Sequence, residues 1–251
     1  MSQFQFPERV SEAFIRAVGH HDATLPAPAR ERRVHPFSIA ISRETGTRGP
    51  AVARTTGEIL GWQVYDQELL ELVARDLNVR AKLLENIDER HITWLQECVE
   101  AFAAVPAVRE GKYLQHLIKV LLSLATQGQN VIVGRGGPFV LPSATTLRVR
   151  LIAPLEDRID VVCRERHIER PEAARYVNLT DRARSQFVRL HFQHDASDPR
   201  YYDLVLNTSQ FSIDQCARLI VEALHMKSQQ HEQPATKKLD EMLLAGTHSP
   251  T

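Results

Sequence analysis

The chain has 251 residues, 43% of them hydrophobic, enough to bury the core of one large α/β domain or two small ones without disulfide support. Its 31 basic and 31 acidic residues cancel, which argues against a coat for nucleic acid or a membrane-binding surface, so any anion site must be local. Cys98, Cys163 and Cys216 are three, widely spaced and set in helical patterns, and read as reduced core thiols rather than a disulfide framework or a four-ligand zinc site.

Residues 1–36 mix polar and charged side chains with Pro26, Pro28 and Pro36, and are expected to form a partly disordered extension with at most one short helix near Ser11–Val18. An apolar run, Phe37–Ile41, predicts the first strand. The loop Ser42-Arg43-Glu44-Thr45-Gly46-Thr47-Arg48-Gly49-Pro50 follows directly. A strand running through a glycine turn into a helix aims backbone N–H groups and the positive end of the helix dipole at an anion, and Arg43 and Arg48 add charge there. The pattern G-x-x-x-x-G-K-[ST] is absent, because Gly49 and Ala51 stand where Lys and Ser/Thr are expected. Taken alone, the loop fits an ordinary βα turn as well as a phosphate site.

The next helix starts at Pro50, a favourable first-turn residue, spaces Val52, Thr56, Ile59 and Leu60 helically and stops at Gly61. A short strand is expected at Gln63–Tyr65. Residues 76–110 read as helical without one clean stripe, either as core packing, with Trp94 inside it, or as an inserted substrate-side subdomain. Leu114, Leu117, Ile118, Leu121, Leu122 and Ala125 make a broad apolar helix face that ends at Gly128, ahead of a central strand at Val131–Val133. That strand runs into Gly134-Arg135-Gly136-Gly137. Ligands of open parallel sheets gather at the carboxyl ends of strands, and an arginine held by glycines there can fork onto a phosphate; a tight surface turn is the alternative.

A fourth strand is predicted at Arg148–Ile152. It leads into the arginine-dense helical stretch Arg158, Arg164, Arg166, Arg170, Arg175, Arg182, Arg184 and Arg189. Asp181 and Arg184 share a helix face; the stretch could close over a polyphosphate, or its arginines could pair with Asp160, Glu165, Glu169 and Glu172 on a solvated helix pair. His191 and His194 beside Asp195 lack a companion ligand pair, so a metal site is not expected. A fifth strand follows at Leu204–Leu206. Ser212 and Gln215 form a capping-box pattern ahead of a last helix marked by Ile213, Ala217, Ile220 and Leu224. The remainder, 227–251, reads as a mobile tail. Short apolar runs alternating with helices indicate a parallel sheet covered on both faces.

Six segments, from Ile41 to Gly49, Val64 to Asp66, Val131 to Gly136, Ala153 to Arg158, Asp181 to Arg184 and Tyr202 to Thr208, together resemble the cytidylate kinase-like family in order and spacing. The resemblance implies a P-loop NTPase-type, three-layer α/β domain over 37–226, with a five-stranded parallel sheet flanked by helices and an arginine-rich helical lid. It also implies transfer of a phosphoryl group from ATP, with Mg2+, to CMP or dCMP. By the same resemblance Ser42, Arg43, Thr45, Gly46, Thr47, Arg48 and Gly49 hold the ATP phosphates. Asp66, Gly134, Arg135, Gly136, Asp181 and Arg184 face the acceptor nucleotide, and Arg43, Arg48, Arg158 and Arg184 supply catalytic charge. Against the family's usual loop, Arg48 replaces a glycine and Pro50-Ala51 replace Arg-Glu; Gly136 stands where true cytidylate kinases have an acid. The expectation is therefore a nucleoside-monophosphate kinase, with a nucleotide-binding regulatory protein of the same fold as the alternative. The expected partners are small nucleotides, without nucleic acid or membrane, in the cytoplasm.

Overall fold

Alternation of large apolar residues from Phe37 onward drives the chain into its central strand, β1 (Ser38–Arg43), which is buried along its first four residues. The structure is a computed structural model that describes residues 37–66 and 112–232. Calls on residues 1–36, 67–111 and 233–251, including the Ser11–Val18 helix, the 76–110 segment with Trp94 and Cys98, and most of the expected tail, lie outside the described residues. β1 is flanked by β3 (Asn130–Val133) and β4 (Thr146–Ile152), with β2 (Gln63–Tyr65) and β5 (Leu204–Asn207) at the edges. The order is β2-β3-β1-β4-β5 and every pairing is parallel, for example Ile39 with Val131 and with Leu147. All five strands were legible as apolar runs; every one but β2 extends slightly beyond its run.

Two helices cover one sheet face. Ile39 and Ile41 of β1 pack against Val52 and Ala53 of α1 (Gly49–Leu60) and against a layer from the last helix that includes Cys216, Ile220 and Leu224. Completely buried residues of this size contribute roughly 1.5–3 kcal/mol each, so the strand's alternation fixes its facing. α2 (Lys112–Gln127) and the short α3 (Gly137–Val140) cover the other face, where Leu117, Ile118, Leu121 and Phe139 are buried. Gly61 ends α1 in the left-handed region, its N–H donating to Glu58 O while Trp62 N–H donates to Gly57 O, the expected glycine stop.

The arginine-dense stretch forms a hairpin of α4 (Leu155–Arg166) and α5 (Arg170–Phe192), joined by apolar contacts of Ile159 and Val162 with Ala173 and Val177. This is the expected lid-like segment, and it has its own small core. The final helix, α6 (Ile213–Glu232), begins with the predicted box: Ser212 N–H donates to Gln215 Oε1 at 2.9 Å, and Gln215 N–H to Ser212 Oγ at 3.2 Å. Here the boundary at 226 needs correction. The helix runs on to Glu232 because Lys227, part-buried, donates to Thr146 O at 2.8 Å and to the Asp203 carboxylate at 2.7 Å, which fastens α6 to the sheet. No helix among the described residues is long and apolar enough to cross a membrane.

Candidate functional site

Three guanidinium groups converge at the carboxyl edge of the sheet. Arg43 ends β1, Arg135 sits in the turn after β3, and Arg184 projects from α5. With Ser42, Gly134, Gly136 and Asp181 they line one cleft of about 480 Å³, so residues from three distant parts of the chain meet in it. A neighbouring cleft of about 320 Å³ shares Arg43 and Arg184 and is walled by Thr45, Gly46, Arg48 and Gly49. Asp66 lies in a different depression beside Arg54 and Trp62, yet its charge reaches Arg43.

Glycines make the convergence possible. A Cβ on Gly134, whose φ is 81°, would stand 2.1 Å from Arg43 Nη1, and one on Gly49 would stand 2.9 Å from Arg43 Cγ. The Arg43 side chain is thus threaded between the two glycine turns. Burial, and then repulsion from Arg184 and Arg135, lower its guanidinium to about 10, and Arg43 Nε is buried with no hydrogen-bond partner among the described residues. Arg135 is lowered by burial and by Arg184, and its guanidinium lies 5.4 Å from the centroid of Phe187. Arg184 is lowered by burial against the opposing pull of Asp181. Like charges gathered in a low-dielectric edge, with desolvation the leading cause at each, are what a bound polyanion would relieve.

Several expected site residues are spent elsewhere. Arg48, expected to add charge to the anion cradle, caps α1 in the left-handed region at φ 56° and walls the loop cleft, while its guanidinium donates to Thr208 O at 2.6 Å and Phe211 O at 3.4 Å. Arg158 lines neither cleft. It is 9% exposed and its fork donates to Ala153 O, Thr45 O and Asp181, with Glu44 alongside, so it is a buried clamp under the loop. Asp181 lines the larger cleft, and its carboxylate accepts from Thr45 N–H at 2.8 Å and from Arg158. Thr47 turns its hydroxyl inward to Glu44 O at 2.8 Å. Gly46 is required by packing, since a Cβ there would meet Arg158 O at 2.4 Å, and Gly136 because one would meet the Phe192 ring at 2.1 Å.

Other contributors were not expected. Arg150 donates to Ser42 Oγ at 3.1 Å and lies 5.6 Å from the Tyr202 ring centroid, and a charged residue alternating within a central strand was its available signal. Phe187, Tyr176 and Phe139 supply the cleft's aromatic wall. Arg170 takes the solvated role, pairing with Glu156 and Asp160 at an exposed position. His194 packs its ring on Phe139 and Tyr201, and Asp195 accepts from Ser197.

Residues 38–210 match the cytidylate kinase-like family. Over 130 residues the chain is 30% identical to a uronate isomerase of Corynebacterium glutamicum, covering 51% of this chain and 25% of that protein. Over 109 residues it is 29% identical to a cytidylate kinase of Methanopyrus kandleri, covering 40% of this chain and 56% of that enzyme. The chain therefore spans less than two thirds of either relative. An uncharacterized protein from Eubacterium ventriosum has a similar fold, with a TM-score of 0.62 at 20% identity, over 76% of this chain and 99% of that one.

Proposed function

This chain belongs to the cytidylate kinase-like family, and from that premise we propose that it transfers the γ-phosphoryl group of ATP to CMP or dCMP. The observation that carries the reading is the meeting of Arg43, Arg135 and Arg184 between two glycine turns at the carboxyl edge of a parallel sheet. Phosphoryl transfer asks mainly for alignment and for neutralisation of spreading negative charge, which guanidinium groups and main-chain amides supply without a covalent nucleophile. In this reading the loop cleft takes the ATP phosphates and the larger cleft takes the acceptor, with Arg43 and Arg184 at the wall they share. Arg135, supported over Phe187, grips the acceptor phosphate.

Mg2+ keeps most of its water and is held by substrate phosphates with one or two carboxylates rather than by a protein cage. Asp66, close enough in charge to act on Arg43, is the carboxylate proposed to join it. When bound, the ion would neutralise charge on the phosphates.

Incubating the protein with Mg2+, ATP and each common nucleoside monophosphate, and measuring ADP release, tests the reading. Turnover with CMP or dCMP above the other acceptors is expected; background rates with every acceptor would reject it. Arg135→Ala should lower kcat/KM for the acceptor by about a hundredfold or more while leaving Tm nearly unchanged. One observation favours the second reading, a nucleotide-binding regulatory protein: the Arg48 guanidinium is engaged by Thr208 O. Calorimetric nucleotide binding without turnover would select it.

A further inference from the structure

The loop's own donors already hold an anion. Asp181 Oδ1 accepts from the backbone N–H of Thr45 at 2.8 Å and from the Thr45 hydroxyl at 2.7 Å, while Oδ2 accepts from Arg158 Nη1 at 2.5 Å. Arg184 Nη1 stands 3.9 Å from Oδ1 and itself donates to Thr45 Oγ1 at 3.0 Å. A main-chain amide, a hydroxyl and two guanidinium groups around one carboxylate are the donor set that a phosphoryl group would demand. The carboxylate arrives from the middle of α5, a helix whose neighbouring turns also carry Arg184 and wall the larger cleft.

Resting on the reading of this loop as a nucleotide phosphate site, we propose that Asp181 is a built-in competitor for it. The carboxylate takes an oxygen position of a phosphoryl group, so Asp181 and a nucleotide phosphate exclude one another at Thr45. Phosphate binding lifts α5 off the loop, and loss of phosphate lets it return. Arg158 stays buried beneath the loop, held by Ala153 O and Thr45 O, and Arg184 moves with the helix. Because a protein whose binding-competent state is only partly populated binds its ligand more weakly by that fraction, the carboxylate sets the affinity of the loop. A permanent strut would behave differently: its removal would weaken the loop and its affinity together.

The test uses the full chain and tripolyphosphate, a probe without base or sugar. Asp181→Asn keeps the shape and an acceptor for Thr45 but removes the charge. Titration calorimetry should show tripolyphosphate binding tightened about tenfold in the variant; unchanged or weakened binding would overturn the proposal. Since Arg158 loses its carboxylate in that variant, the wild-type chain supplies a second measurement. Its observed binding rate should level off at high tripolyphosphate concentration, at the rate of α5 release, and a rate that keeps rising linearly would also overturn it. The two readings separate cleanly. Tighter anion binding in the variant with no transfer from ATP to any monophosphate retains the competitor and rejects the kinase, whereas transfer with unaltered anion affinity does the reverse.

Discussion

Gly134 carries much of the site by what it lacks. Its position at φ 81° and the 2.1 Å that would separate a Cβ from Arg43 Nη1 leave the guanidinium no second place, because the stem is already held against Gly49. Gly134→Ala should therefore cost roughly 1–3 kcal/mol of stability and abolish the rise in Tm that tripolyphosphate produces in the parent. Gly61, also left-handed but with nothing within 4 Å of its Cβ position, is the control: Gly61→Ala should lose roughly 1–2 kcal/mol and keep that rise. Thermal scans with and without the anion distinguish the two. The sequence announced both glycine turns and all three arginines of the cluster, since each stands in or beside a turn or in the arginine-dense helix. It did not announce where guanidinium groups point. Arg48 and Arg158 stand in the same motifs, yet Thr208 O engages one and burial under the loop consumes the other.

At the scale of elements, strands and caps were readable because their signals are local: alternation, glycine stops and the Ser212–Gln215 box. The far end of α6 was not, because Gln229, Gln230 and His231 give no apolar stripe and the helix is held by partners distant in sequence. Asp203 is the centre of that fastening, accepting from Arg148 N at 2.8 Å, from Arg148 Nη2 at 2.9 Å and from Lys227 Nζ at 2.7 Å. Burial alone would raise this carboxyl; the bonds from Arg148 and Lys227 outweigh it and hold the group below its usual value. A depressed carboxyl contributes stability that is present above its unfolded value and lost as pH falls through the folded one. Asp203→Asn should thus cost about 1–3 kcal/mol at neutral pH, and its deficit against the parent should shrink as pH falls below about 4, a comparison that denaturant titrations at a series of pH values would make. A deficit that stays constant through the acid range would assign Asp203 a purely steric role.

Over the whole molecule the charges sum to zero, so no net charge adds to the pull of the arginine cluster at long range. Attraction of a polyanion is then short-ranged. Raising ionic strength from about 0.01 to about 0.15 M, which shortens the screening length from roughly 30 to roughly 8 Å, should slow tripolyphosphate association by only a few-fold in stopped flow, against the much steeper loss expected of a uniformly basic surface. A parallel sheet was implied by alternation of runs and helices, but its strand order and the meeting of segments near residues 43, 135 and 184 depend on crossovers that no local pattern records. One helix joins those segments. α5 has 23 residues, on the order of 35 Å end to end, and is anchored where the Phe192 ring abuts Gly136. Taken as a stiff lever with its fulcrum there, it carries Asp181 about 16 Å out and Arg170 about 33 Å out, so a ~2 Å stroke at the loop becomes ~4 Å at the tip. Neither cleft can then empty without tugging on the other, so under the proposed kinase reading departure of the two spent nucleotides would become a single mechanical event.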